Sequence, residues 1–222
     1  KSISMRNFRC FGDTPGVVEL SGPLTALVGA NGSGKTALLI ALARLFGTTQ
    51  NQRSITSSDF HSPSGVSADD RTFPEIVIEV ILTFPELEDG EEGSDAIPPT
   101  FQHMIVDSPD GKPFCRMRLE ATCVDDGTIE RYVEQQLYWV LTGDDPIPEE
   151  NKQRFTPGER GLIQVQYIPA NRDPAPELRY AASSRAGRLL KAISWSPSTR
   201  DTVQGAAESI RDALGGEATV VE

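Results

Sequence analysis

Gly29-Ala30-Asn31-Gly32-Ser33-Gly34-Lys35-Thr36 satisfies the spacing G-x-x-x-x-G-K-[ST], and each residue type in it has a chemical reason. Glycines at 29 and 34 admit backbone angles closed to other residues, and Gly32 adds a third permissive position. The loop's N–H groups then converge on a β-phosphate at the positive end of the helix that follows. Lys35 sets a mobile ammonium against the β- and γ-phosphates, and Thr36 offers its hydroxyl to magnesium. A chance glycine-rich turn would match these letters without the right surroundings. Here Leu24 to Val28 is a continuous apolar run bounded by turn residues, as a buried strand requires. Beyond Lys35, the residues Leu38, Leu39, Leu42, Leu45 and Phe46 recur at helical spacing, and Gly47 marks a C-terminal stop. Strand, glycine loop and helix together predict binding of ATP and Mg2+ by Gly29, Ala30, Asn31, Gly32, Ser33, Gly34, Lys35 and Thr36.

Working outward, residues 1–50 read as one unit of strand, loop and helix, with Ile3, Met5 and Phe8 forming the apolar side of a first strand ladder. Val17 to Leu20 is a second short strand. Residues 48–72 are rich in Ser, Thr, Asp and Gly and read as a loop with one turn of helix. Residues 73–141 read as an antiparallel β insertion, with strands at Glu75 to Phe84, Pro113 to Val124 and Ile129 to Leu141. Cys115-Arg116-Met117-Arg118-Leu119-Glu120-Ala121 alternates cleanly, the mark of a half-buried strand. Asp125-Asp126-Gly127 predicts the hairpin turn, and the acidic residues 85–99 predict an exposed, mobile loop. Residues 161–222 read as a strand, Gly161 to Ile168, followed by helices at Ala181 to Ile193 and Thr202 to Leu214. The expected fold class is therefore α/β: a mixed sheet around the loop's helix with an adjoining antiparallel β layer, as one domain with an insertion.

Binding phosphates is not hydrolysis, which also needs a carboxylate to hold magnesium and a group to orient water. Glu79 lies inside a continuing apolar run and reads as a solvent-facing strand residue. Asp144 and Asp145 follow Thr142-Gly143 and precede Pro146, which describes a turn. No Leu-Ser-Gly-Gly-type signature follows the loop, so the catalytic half is absent from the sequence. Net charge is −11, which makes the chain by itself a poor binder of polyanions. Cys10, Cys115 and Cys123 form no metal-ligand spacing and read as buried, reduced thiols of a cytoplasmic protein. No apolar run approaches the roughly 20 residues that span a bilayer, so no membrane partner is expected.

Arg6-Asn7-Phe8-Arg9-Cys10-Phe11 followed by Leu27 through Thr36 resembles the opening of ABC-type ATPases of the RecF, SMC and OLD (overcoming lysogenization defect) group. Ser58-Asp59-Phe60 and Tyr167-Ile168-Pro169-Ala170-Asn171-Arg172-Asp173 look like OLD-family ATP-dependent endonucleases. The resemblance runs from the first strand to about residue 190. It implies an ATPase domain, usually dimeric, that regulates a Toprim nuclease acting on DNA in phage defence or nucleic-acid processing. The chain departs from the family in showing no Toprim acidic constellation, Walker B acid, signature or switch histidine, which is expected either of the front portion of a longer protein or of a chain whose missing parts come from elsewhere. By resemblance, Arg9 lies near the nucleotide; a strand with Phe8 in the core and Arg9 in solvent explains the same residues. Gln166 is a candidate to orient the attacking water and Gln164 a candidate magnesium ligand, although alternating glutamines also describe a polar strand face. Arg172 and Asp173 are a candidate pair near nucleotide or dimer face, or a surface ion pair. His61 and His103 read as surface residues, Trp139 and Trp195 as packing residues. Expected partners are a second copy or a larger homo-oligomer, DNA through the full-length protein or a partner, and a nuclease or defence-system partner. The alternative is an ATPase subunit of a RecF- or SMC-like repair or clamp complex, or a nucleotide-sensing subunit without nuclease activity. A small kinase or GTPase fits worse, because no Asn-Lys-x-Asp base-reading motif occurs.

Overall fold

The computed structural model describes residues 1–20, 22–63, 65, 72–84, 101, 104–107, 113–124, 132–168 and 196–215. The chain divides into two compact units, Lys1–Ile168 and Pro169–Glu222. Strands of the first unit are β1 (Ser2–Arg6), β2 (Gly16–Glu19), β3 (Ile76–Thr83), β4 (Val106–Asp107), β5 (Pro113–Val124), β6 (Tyr132–Val140) and β7 (Lys152–Arg154). Its helices are α1 (Lys35–Phe46), α2 (Gln50–Arg53) and α3 (Pro157–Arg160), with short 3-10 turns at Ser57–Asp59 and Glu149–Asn151. The second unit contributes α4 (Pro197–Gly215).

The sheet runs β2-β1-β3-β5-β6-β7, with β4 also pairing to β5, and every pairing is antiparallel. Register explains the core. Met5 faces Ile78, which faces Leu119, which faces Leu137, so one apolar row crosses four strands. Ile3, Val80, Met117 and Trp139 form the parallel row. Both rows are buried and join Ala37, Leu38, Ala41, Leu45 and Phe46 of α1 in one core. The residues between them face the other way: Glu79 pairs with Arg116 at 3.1 Å and Arg118 at 3.4 Å, and Arg118 and Lys152 converge on Glu120. Glu79 is thus a structural ion-pair residue with a largely covered side chain, rather than the solvent-facing acid expected from sequence.

The α/β class with an antiparallel layer is as expected, but three segments differ from the sequence reading. Leu24 to Val28 belongs to no strand; Leu24 is 85% exposed and Val28 94%. An apolar run becomes a buried strand only beside a strand that meets its N–H and C=O groups, and the sheet's two edges, β2 and β7, do not pair with it. Gly161 to Ile168 is likewise a turn and an extended stretch, with parallel character confined to one bridge between Gly47 and Val165. The first strand stops at Arg6: Asn7 and Arg9 take positive φ, 55° and 52°, and turn the chain. Leu39, expected on the apolar face of α1, is 41% exposed.

The turn at Thr142–Asp144 is real, tied by Thr142 Oγ1 donating to Asp144 Oδ2 at 3.0 Å. In the second unit α4 starts five residues before the expected Thr202, because Ser196 Oγ accepts from the Thr199 N–H and Pro197 occupies the first helical position. The acidic stretch 85–99, the hairpin turn 125–127, the helix expected at 181–193, and His103, Arg172, Asp173 and Trp195 all lie outside the described residues. Among the described residues no helix is long and apolar enough to cross a membrane.

Trp139 stacks on Phe155 at 4.1 Å and meets Phe101 edge-on at 5.6 Å, yet its buried indole N–H has no acceptor among the described residues. Removing the ring should therefore hurt far more than removing the N–H. In urea denaturation, Trp139→Ala is expected to cost about 3–5 kcal/mol. Trp139→Phe, which keeps an aromatic face and deletes the unpaired donor, should cost less than about 1.5 kcal/mol.

Candidate nucleotide-binding site

Helix α1 is fixed by its buried face, and that fixes the loop from which it grows. Gly34 holds φ 93° and Gly32 φ 84°, values that other residues adopt only with strain. Gly29 does not share that conformation; its constraint is proximity, since a Cβ there would stand 2.8 Å from Ser33 Oγ. A Cβ on Gly34 would meet Phe11 Cζ at 2.9 Å and Cys10 Sγ at 3.1 Å. The residues after β1 therefore pack directly on the loop.

That juxtaposition makes a cavity of about 280 Å³ lined by Arg9, Cys10, Asn31, Gly32, Gly34, Lys35, Thr36 and Ala37. Two larger clefts lie elsewhere, one among Glu75, Glu120 and Glu134 on the polar sheet face and one beside β2. The first sets one cation, Arg154, among three glutamates and the second pairs Lys1 with Glu19, whereas the smaller cavity joins Arg9 and Lys35 with no carboxylate, so it is the one suited to an anionic ligand. Lys35 Nζ lies 2.7 Å from the Gly29 carbonyl oxygen, 2.6 Å from that of Ala30 and 3.4 Å from Ser33 Oγ. Its ammonium thus satisfies itself on the loop's own acceptors, and a triphosphate must exchange those carbonyls for phosphate oxygens. Thr36 is exposed at the start of α1, where its hydroxyl can reach a magnesium ion held by phosphates.

Arg9 enters the site through a tightly specified turn. Asn7 N–H donates to the Gly12 carbonyl at 2.8 Å, and Asn7 Nδ2 to that of Glu75 at 2.9 Å. Arg9 N–H donates to the Asp59 carbonyl at 2.7 Å, while His61 N–H donates to Asn7 O and His61 Nδ1 bonds Arg9 O at 2.7 Å. His61 is accordingly a half-buried support of this turn and not a plain surface histidine. Phe8 between them is fully buried against Phe60. Asp59 escaped the sequence reading as a functional residue, and its only signal was the Ser58-Asp59-Phe60 resemblance.

The structure thus brings Arg9, Asn31, Gly32, Gly34, Lys35 and Thr36 to one cavity. Gln164 and Gln166 are exposed on the segment beside the end of α1 and are not among its lining residues; Gln164 Nε2 donates to Gly161 O at 3.0 Å. Among the described residues no carboxylate lines the cavity, and no group of His, Cys, Asp or Glu could hold a metal unaided. The donor set nevertheless suits Mg2+ delivered with a triphosphate, which coordinates mainly to phosphate oxygens and one hydroxyl.

A model of the AAA domain matches residues 2–134, more than half of the chain. The chain belongs to the AAA domain family. It is an ATPase-type domain, and the loop described above lies within the matched residues. A solved structure from work on the structural biochemistry of ATP-driven dimerization and DNA-stimulated activation of SMC ATPases is similar at 17% identity and a TM-score of 0.43, over 92% of this chain and 96% of that one. No curated protein matches the chain.

Of the three thiols expected to be buried only Cys115 is, and desolvation pushes its pKa up to about 11; Cys123 is half-buried, and Cys10, on the turn after β1, is exposed and lines the cavity. Iodoacetamide at pH 8 should therefore modify Cys10 well before Cys115, since the thiolate is the nucleophile. Saturating MgATP should slow the Cys10 reaction several-fold while leaving Cys123 unaffected, as read by peptide mass spectrometry.

Proposed function

We propose that the protein is the nucleotide-binding half of an ATP-dependent switch of the RecF/SMC/OLD type, in which bound MgATP is closed over by a second copy of the chain. The observation that carries this reading is the one-walled cavity. It offers phosphate donors, a lysine, an arginine and a magnesium-seeking hydroxyl, but among its described lining residues no acid and no water-activating group. Its volume, about 280 Å³, falls below the roughly 300–1,000 Å³ of self-contained ligand pockets. A triphosphate nucleotide is thus gripped by its phosphates and left open on one side, which suits a site finished at an interface. In this role Lys35 and Arg9 neutralise phosphate charge, and Gln166 and Gln164 are the proposed water-orienting and magnesium-touching groups once the site closes.

The finer assignment, to the OLD-like endonucleases, rests on Ser58-Asp59-Phe60 and the run Tyr167 to Asp173. In that setting ATP-driven pairing gates a nuclease carried by the full-length protein or a partner, in phage defence or DNA processing. The net charge of −11 supports delegating DNA contact elsewhere.

Titration calorimetry with MgATP and light scattering with a slowly hydrolysed analogue test the reading. Wild-type protein should bind MgATP and gain mass toward a dimer, with little turnover alone. Lys35→Ala should weaken binding by about tenfold or more, the loss of a charge-assisted contact of roughly 1.5–3 kcal/mol, and abolish the mass change. Full-rate hydrolysis by the isolated monomer would remove the half-site reading, and absence of MgATP binding would remove the whole assignment.

A further inference from the structure

Asp59 is fully buried, and its carboxylate is shared by two arginines. Arg9 donates Nε at 2.9 Å and Nη2 at 2.8 Å to Oδ1. Arg44 donates Nε at 2.9 Å and Nη2 at 2.8 Å to Oδ2. The Thr56 N–H and hydroxyl, at 3.1 and 3.2 Å, complete the set on Oδ2. Arg44 spends its remaining nitrogen on the Asn51 and Gln52 carbonyls, at 3.1 and 3.0 Å, and so is wholly committed to structure. Arg9 is not. Its Nη1 takes no part in the pairing with Asp59, its side chain is 32% exposed, and it lines the cavity beside Lys35 and Thr36.

The same aspartate also takes Arg9's main-chain N–H through its own carbonyl oxygen, at 2.7 Å. Asp59 thus grips Arg9 at backbone and guanidinium together and ties both to Arg44, a residue of the helix that grows out of the loop. The path from the loop along α1 to Arg44, Asp59 and Arg9 is hydrogen-bonded from Arg44 onward, and it returns to the loop where Cys10 and Phe11 pack on Gly34. We propose that Asp59 is the positioning residue for Arg9, holding it as a second, pre-aimed cation against the phosphates of the bound nucleotide. This rests on the reading that the cavity takes MgATP. Lys35 is a flexible point charge that must leave its resting acceptors, while Arg9 is set in place before the ligand arrives, which lowers the ordering cost of binding.

A merely structural Asp59 and a positioning Asp59 respond differently to substitution. Arg9→Lys keeps the charge at a partly exposed site but loses the fork that spans Asp59 and the cavity. In calorimetry with MgATP its affinity should fall about tenfold, close to that of Arg9→Ala, because the lost bonds are charge-assisted ones. Asp59→Asn should show a similar fall, and the double variant Arg9→Ala/Asp59→Asn no additional one. Wild-type affinity in Arg9→Lys, or losses that simply add in the double variant, would overturn the proposal. Should Asp59→Asn fail to fold by circular dichroism, the Arg9→Lys titration decides by itself. Wild-type protein that binds no MgATP sinks the nucleotide assignment and this inference with it, an outcome separate from wild-type binding that Arg9→Lys leaves unchanged.

Discussion

A carboxylate withdrawn completely from water is the constraint around which the site is organised. Burying one charge costs several kcal/mol even after relaxation, and only close, well-aligned partners offset it. Asp59 meets that demand with two guanidiniums and two donors from Thr56. The geometry has consequences in both directions along the chain. It brings the turn after β1 against the residues after α2, and it lets Asn7 and Arg9 sit at positive φ, where each costs on the order of 1–2 kcal/mol. Strain of that size persists only where neighbours over-determine it, and here the carbonyls of Gly12, Glu75 and Asp59, with the main-chain N–H and Nδ1 of His61, do so.

What was legible in the sequence follows from where information is local. Strand β3 was readable as an apolar run, and β5 because its period-two alternation survives into the register: Cys115, Met117, Leu119 and Ala121 are all buried, and the arginines between them are paired across the strands. Helix α1 and the loop were readable because glycine, lysine and apolar spacing are each tied to one geometry. The segments Leu24 to Val28 and Gly161 to Ile168 misled for one shared reason. Apolar or alternating composition states what a strand would look like, but not whether a neighbour exists to meet its backbone. Asn7 and Arg9 misled differently, since a non-glycine residue at positive φ leaves no local mark and is imposed by distant hydrogen bonds.

The candidate site divides along the same line. Its phosphate-facing half, from Gly32 to Thr36, is encoded within a few consecutive residues and was read directly. Its support is not: Arg9, Arg44 and Asp59 are 35 and 15 residues apart, by subtraction along the chain, and no short pattern announces that they meet. Family resemblance pointed at Ser58-Asp59-Phe60 as a likeness of letters. Only the bonds of the carboxylate show what the aspartate is doing.

The loop's asymmetry bears on how such a domain could act as a switch. On its helical side it is continuous with α1, whose first turn is anchored by buried Ala37 and Leu38. On its entry side it follows an extended apolar run that is largely in water. In the proposed switch, a ligand seated on the loop thus meets a buried support toward α1 and an exposed lead-in toward Leu24 to Val28. Lys35 adds to this bias, because the carbonyls of Gly29 and Ala30 that hold it at rest belong to the entry side. In the proposed MgATP-bound state, transfer of that ammonium to phosphate would release both acceptors, which lie on the flank away from the Arg44–Asp59–Arg9 bonds.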